Sequence, residues 1–198
     1  KYVCEDRYWA DSRYVESLEV KLDGKWKEVY RTEDAGDGRC GQSLVISDKS
    51  IAFSPLKDYV RFFSAGWEWV DTLLVNVRTK ENALEKDANP RKILWSKDGR
   101  SYAFISNQEV FGGTGRDGVW ASGYKQPDSP AFIFDAVSKM DRGFWQLYVI
   151  DDLKFTDNRT IEFSIFDADE SDSGKHFGEV ARYRYDLKNK RLEELFRK

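Results

Sequence analysis

The sequence predicts an all-β, antiparallel fold, and three observations carry the prediction. Aromatic residues make up 15% of the 198 positions, with seven Trp, ten Tyr and thirteen Phe, and such residues favour pleated, half-buried surfaces. Runs that alternate apolar and polar residues end repeatedly at Asp-Gly or at clusters of Lys, Asn and Asp, the chemistry of tight chain reversals. One phrase also returns three times: an aromatic, then Ser or Thr, a polar turn, and a strand containing Phe. The expected organisation is a single all-β domain over 1–198 with a Gly-rich loop insertion at about 107–130.

Taken in order, the stretch 14–34 alternates cleanly. Leu18, Val20 and Leu22 share a face, Asp23-Gly24 reverses the chain, and Trp26, Val29 and Tyr30 follow. A Gly-rich loop at 35–42 leads to the short apolar strand of Leu44, Val45 and Ile46. After a Ser54-Pro55 turn comes YVRFFS, and TLLVNVRT closes in a polar turn. TKENALEKDA at 79–88 has the propensity for a helix; a turn between strands reads equally well. Residues 107–130 hold five glycines and two prolines and are expected to form a long surface loop, a kind of segment that often carries function. In 131–151, Ser129-Pro130 could open a helix and Gly143 close it. Phe132 and Phe134 alternate with their neighbours, however, and FWQLYVID is extended, so a hairpin turning at SKMDRG is favoured. The rest reads as strand, acidic loop, strand, a turn at Lys188-Asn189-Lys190, and strand.

The repeated phrase decides the architecture. FSPLKDYVRFFS begins at Phe53, WSKDGRSYAFIS at Trp95 and FTDNRTIEFSIF at Phe155. The first two starts are 42 residues apart and the last two 60; without the Gly-rich loop the second spacing approaches about 40, the period of one four-stranded propeller blade. A small sheet of this kind cannot bury both faces alone, so neighbours stack. These stretches resemble the blades of TolB-like, WD40-like (PD40) β-propellers, whose units read roughly W/F-S-P-D-G-K-x-I-A-F-x-S followed by L-Y-V-x-D. WSKDGRSYAFIS with LYVIDD follows that pattern best. FSPLKDYVRFFS with LLVNVRTKE lacks the Gly, and FTDNRTIEFSIF with YRYDLKNK has Thr156 in place of Ser. The resemblance implies a small antiparallel β-propeller-like repeat domain. Family members usually have six or more blades, whereas this length holds four at most. A β-sandwich is the alternative fold.

Composition excludes several classes. A net charge of −3 and a pI of about 5.4 give no electrostatic footprint for nucleic acid or anionic lipid. No apolar run approaches the roughly 20 residues of a membrane span. The chain opens KYVCEDRYW, with neither an initiator Met nor a leader, which reads as a mature or trimmed chain. Cys4 and Cys40 lie 36 positions apart and outside any CxxC, so zinc lacks its spacing. A disulfide is favoured over two free thiols. It would stabilise by roughly 3–4 kcal/mol and point to an oxidising compartment.

The chemical motifs are sparse. Gly113, Gly115 and Gly118 fit GxGxxG, but the residues that follow include Pro127 and Pro130 and show no helical period, so a flexible loop is the better reading. Asp167, Asp169 and Asp172 begin like a calcium loop with Gly174 at its turn, although Glu179 falls one position early. Calcium is the one cofactor candidate, against the commoner solvated acidic loop. His176 is the only histidine and has no nucleophile elbow to serve. Asn158-Arg159-Thr160 is a sequon that a turn Asn explains equally well. Trp67 and Trp69 sit two apart and share a strand face; Trp120 and Tyr124 lie in the Gly-rich stretch. Exposed, these four make ligand- or partner-binding surfaces; buried, they are inter-sheet core.

The expectation is therefore a non-enzymatic, extracytoplasmic protein-interaction module that contacts its partner through 107–130 and these aromatics. A carbohydrate-binding module or glycan-active enzyme using the Trp residues is the alternative. A structural segment of a larger assembly is the third reading. Neither a nucleic-acid partner nor a membrane span is expected.

Overall fold

A computed structural model describes residues 1–7, 13–34, 44–45, 51–65, 70–84, 90–106, 118–135, 147–168 and 176–198. All the strand pairs found among them are antiparallel, and no described helix is long and apolar enough to cross a membrane. The chain divides into two compact units, Lys1–Leu84 and Glu85–Lys198.

In the first unit, β1 (Tyr2–Arg7), β2 (Arg13–Leu22) and β3 (Lys25–Asp34) form one sheet in that order. Asp23 and Gly24 turn β2 into β3 with φ of 51° and 78°, the left-handed pair that suits a two-residue hairpin. In the second sheet, β4 (Leu44–Val45) and β5 (Ala52–Phe53) pair along β6 (Tyr59–Ala65), which also pairs with β7 (Val70–Asn76).

The second unit holds two four-stranded meanders. One runs β8 (Pro90–Trp95), β9 (Tyr102–Ser106), β10 (Gly118–Gly123), β11 (Gln126–Asp135); the other runs β12 (Leu147–Phe155), β13 (Thr160–Ala168), β14 (His176–Asp186), β15 (Arg191–Arg197). Among the described residues every sheet uses consecutive strands and none exchanges a strand with another. That is blade topology; an immunoglobulin-type sandwich crosses between its two sheets. The fold is all-β and propeller-like.

The three phrases occupy like positions, the turn from β5 into β6, from β8 into β9 and from β12 into β13; in the last two these are the first two strands of the sheet. A backbone hydrogen bond closes each, five residues on in the first two and four in the third. The Ser54 amide donates to the Tyr59 carbonyl (2.9 Å), that of Ser96 to Ser101 (2.9 Å), and that of Thr156 to Thr160 (3.0 Å). In the first two, the Ser hydroxyl also accepts from the amide five residues on, at 3.0 Å each. A small hydroxyl residue is required there because its side chain must reach back to the backbone inside the turn. The strands that follow bury matching positions: Val60 and Phe62, Tyr102 and Phe104, Ile161 and Phe163, all at 0–1% exposure.

Each unit has its own core between its two sheets. Leu18, Val20 and Val29 meet Val60, Phe62, Val75 and Val77 in the first; Ala103, Val119, Ala121 and Phe134 meet Ile161, Phe163, Ile165 and Tyr183 in the second. The matching Phe residues even repeat their ring contact. Phe62 meets Tyr30 edge-on at 5.0 Å and 62°, and Phe163 meets Phe134 at 5.0 Å and 64°. The other face of the β12–β15 sheet is a ladder of ion pairs, Arg184–Glu162 and Arg182–Glu179, with Ser164 donating to Glu179.

Several expectations need correction. Residues 118–123 and 126–135 are strands β10 and β11, not part of a surface loop. β10 is buried almost throughout, so it shows none of the alternation that marks a half-exposed strand. Gly118 belongs to packing: a Cβ there would stand 2.1 Å from the Phe134 carbonyl oxygen and 2.3 Å from the Phe132 ring. β11 and β12 do not form the hairpin favoured for 131–151; they belong to different sheets. LYVIDD accordingly opens the third repeat as β12, and the strand that follows YAFIS is GVWASG. The helix considered at 79–88 is absent from its described part, where a turn through Lys80 brings Asn82 back to bridge Val75.

Candidate functional site

The turns of the second unit gather at one end of its two sheets, where polar side chains fix each of them. Ser96 Oγ donates to Asp98 Oδ1 at 2.7 Å and accepts from the Ser101 amide. The Asp98 amide donates across to Asn158 Oδ1 in the neighbouring sheet at 2.9 Å. Ser101 Oγ accepts from the Lys125 amide at 2.9 Å, and Ser122 Oγ accepts from the Tyr102 amide at 2.8 Å. Arg159 grips Asp186 through two parallel hydrogen bonds, Nε to Oδ1 at 2.8 Å and Nη2 to Oδ2. Asp186 Oδ1 also accepts from the amides of Lys188 and Asn189 at 2.9 and 3.0 Å.

These contacts hold the acids as carboxylates. The Ser96 hydroxyl lowers the Asp98 pKa, the Arg159 amide lowers that of Asp157, and the Arg159 guanidinium drives that of Asp186 far below the usual range. Hydrogen bonds to the charged form are the physical cause in all three. The Tyr185 hydroxyl is pushed the other way by burial, with Asp186 adding to the effect.

Between the two sheets at this end opens a cleft of about 470 Å³. Ala121, Ala131 and Leu187 supply apolar surface; Ser122, Gly123, Gln126 and Tyr185 supply polar atoms; Lys190 is its one charged lining residue among the described residues. The surrounding turns at 96–101, 123–126, 156–160 and 186–191 carry seven cations and three acids, an excess of four positive charges on a chain whose net charge is −3. Lys97, Arg100, Lys125, Lys188, Lys190 and Arg191 are exposed. Lys125 Nζ lies 5.3 Å from the centre of the Tyr124 ring.

A counterpart exists in the first unit. Leu22, Asp23, Lys27, Glu28, Val77, Arg78 and Lys80 line a cleft of about 220 Å³. The two clefts are related by the repeat. Asn76 caps its turn by accepting from the Arg78 and Thr79 amides at 2.9 and 3.2 Å, as Asp186 does seven strands later. Val77 matches Leu187, at 4% and 3% exposure, and Lys80 matches Lys190, with φ of 66° and 52°.

The residues singled out by sequence fare differently. Trp120 is a correction: it is 4% exposed, its ring stacks with Phe104 at 6.1 Å and 9°, and its Nε1 donates to Ser106 Oγ at 2.9 Å. With its polar edge and both ring faces engaged in the sheet, it is core and not a platform for a ligand. Tyr124 is half-buried on the β10–β11 turn beside the cleft residues. Trp67 and Trp69 lie outside the described residues. So do Asp169 and Asp172; Asp167 lies on β13 opposite Gly178. Among the described residues no group of three or more His, Cys, Asp or Glu gathers that could hold a metal ion. His176 begins β14. Cys4, on β1, is disulfide-bonded; Cys40, the other cysteine in the sequence, lies outside the described residues.

The cleft itself went unread in the sequence. Ala, Ser and Gly carry no signature, but one signal was there: Thr79-Lys80, Tyr124-Lys125 and Asn189-Lys190 each place a lysine just before a returning segment, and all three lysines take positive φ.

No protein-family model matches the chain, and no curated protein matches it. Among solved structures it is similar to a TolB from Acinetobacter baumannii, at 17% identity and a TM-score of 0.39, over 100% of this chain and 41% of that one. It is also similar to a chain assigned as TolB from Agrobacterium tumefaciens, at 16% identity and a TM-score of 0.41, over 92% of this chain and 61% of that one. The chain thus spans less than two thirds of either protein's length.

Proposed function

We propose that the protein is a non-enzymatic, extracytoplasmic interaction module whose protein partner docks at the turn end of the second unit. The observation that carries this reading is the inter-sheet cleft of about 470 Å³, a size suited to side chains of a bound segment. It is framed by turns that the Ser96, Ser101, Asn158 and Asp186 side chains hold in place, so little ordering remains to be done on binding. The acids around it favour binding over catalysis. Asp98, Asp157 and Asp186 are all shifted down and engaged with turn amides, whereas proton transfer is best served by a group that titrates near the working pH. The bonded state of Cys4 supports an oxidising compartment, and we propose Cys40 as its partner.

The test is selection of a displayed peptide library on the intact chain, followed by ¹⁵N NMR mapping of the selected peptides. The expected result is chemical-shift change concentrated at the amides of 121–126 and 187–191. Peptides that map consistently elsewhere would place the partner surface outside this cleft and end the proposal.

A further inference from the structure

The two clefts sit at the same place in the repeat and differ in how charge is arranged: among the described residues each lining carries one net positive charge, but only the first includes acids. In the first unit Asp23 and Glu28 line the cleft together with Lys27, Arg78 and Lys80. In the second unit Lys190 is the only charged lining residue among the described residues. The turns around it add Lys125, Lys188 and Arg191, all exposed. Of the acids nearby, Asp186 is held by Arg159, and Asp98 and Asp157 accept from turn amides while Asp98 also interacts with Lys125, so Lys188, Lys190 and Arg191 are the cations least offset. An acid-free lining among the described residues, with an excess of cations on the turns around it, is therefore what sets this sheet pair apart. The larger volume accompanies it, about 470 against 220 Å³.

The backbone of Lys190 is a second observation. Its φ of 52° lies in the left-handed region, where a lysine is strained and a glycine is not. Turn geometry alone would favour glycine, so the cation is not there to make the turn. Lys80 takes the same conformation at the matching position, with φ of 66°, so the strained lysine belongs to the repeat and the acid-free lining and larger volume set this cleft apart.

We infer that the cleft of the second unit takes an acidic, extended segment of a partner protein. Its carboxylates are met by Lys190 and the neighbouring Lys125 and Lys188, and its small side chains rest on Ala121, Ala131 and Leu187. This rests on the interaction-module reading above and gives the partner its chemistry. Complementary charge of this sort steers encounter and selects the partner more than it deepens affinity, so binding is salt-sensitive.

The probe is an N-acetylated octapeptide alternating Glu and Ala, titrated into the intact chain at low and at physiological salt and followed by ¹⁵N NMR. The amides of 121–126 and 187–191 shift, and binding weakens as salt is raised. Lys190→Gly weakens binding about threefold to fivefold, the range of one exposed ion pair, while its thermal midpoint stays level or rises because the strained residue is gone. A purely structural lysine would move only the midpoint. Lys80→Gly, the matching change in the first unit, leaves binding unaltered. Unchanged affinity in Lys190→Gly overturns the inference, as does equal binding of a Lys-Ala octapeptide. A single-stranded oligonucleotide of equal charge that binds the same amides more tightly overturns it in favour of nucleic acid. A neutral Ser-Ala octapeptide that shifts those amides as strongly removes the acidic partner but leaves the interaction module standing. Library peptides that all map away from the cleft remove both.

Discussion

Lys57→Gly stabilises the first unit. The turns at 54–59 and 96–101 superpose residue for residue in their bonding: the Lys57 amide donates to the Ser54 carbonyl at 2.9 Å, and the Gly99 amide donates to the Ser96 carbonyl at the same distance. Both residues are left-handed, with φ of 61° and 70°. The Lys57 side chain is exposed and no ion pair of its own enters the balance among the described residues. A non-glycine residue in this region carries about 1–2 kcal/mol of strain. Glycine relieves it but leaves a freer unfolded chain, which takes back about 0.4–1 kcal/mol. The net gain is about 0.5–1 kcal/mol, or about 0.25–0.5 M in the urea midpoint for a slope near 2 kcal/mol per M. Gly99→Ala is the reverse experiment and costs about 1 kcal/mol. Urea unfolding followed by Trp fluorescence and by NMR peak intensities within each unit reads both. If Lys57→Gly is neutral or destabilising while Gly99→Ala costs nothing, the equivalence of the two turns is refuted.

Three further outcomes are expected. Gly118→Ala destabilises by about 1–3 kcal/mol or more, because its Cβ would overlap the Phe134 carbonyl and the Phe132 ring; wild-type urea unfolding would refute the packing assigned to it. Acid weakens the second unit. The depressed pKa values of Asp98, Asp157 and Asp186 give stability that is present above the ordinary carboxylate range and lost as pH falls from about 4 through the folded values; Asp186→Asn gives a lower midpoint at pH 7 and a shallower loss between pH 5 and 2. Dithiothreitol lowers the stability of the first unit by about 2–4 kcal/mol, leaves Cys4→Ser unaffected, and is preceded by no thiol titre in the untreated chain.

What could be read from sequence was what local chemistry decides. Asp23-Gly24, Ser54, Ser96 and the 188–190 turn announce reversals because the residues that make each turn are neighbours in the chain. The same holds for Phe62, Phe104 and Phe163, whose spacing from the turn is fixed. Which strand pairs with which is not local. LYVIDD follows the Gly-rich stretch and reads as the close of one unit, yet Tyr148 and Ile150 pair with Asp167 and Ile165 in the next. β10 escaped because a strand buried on both faces has no alternation, and because Gly118 answers to the Phe132 ring and the Phe134 backbone, brought close only by folding. Trp120 was misplaced for the same reason: its surroundings, Phe104 and Ser106, come from another strand. The cleft was least legible, since Ala121, Ser122 and Gly123 acquire meaning only beside Leu187 and Lys190.

The hydrogen bond from the Asp98 amide to Asn158 joins two sheets whose turns are 60 residues apart in the chain. An amide in a surface turn ordinarily exchanges its hydrogen with water quickly. This one is released only when the two sheets part at that end or when Asn158 swings away. Its exchange rate is therefore an internal gauge of how often the cleft breathes, readable at a single resonance without any ligand. A partner that wedges the sheets apart speeds that exchange, whereas one that clamps them together slows it. The direction of the change distinguishes the two modes of engagement.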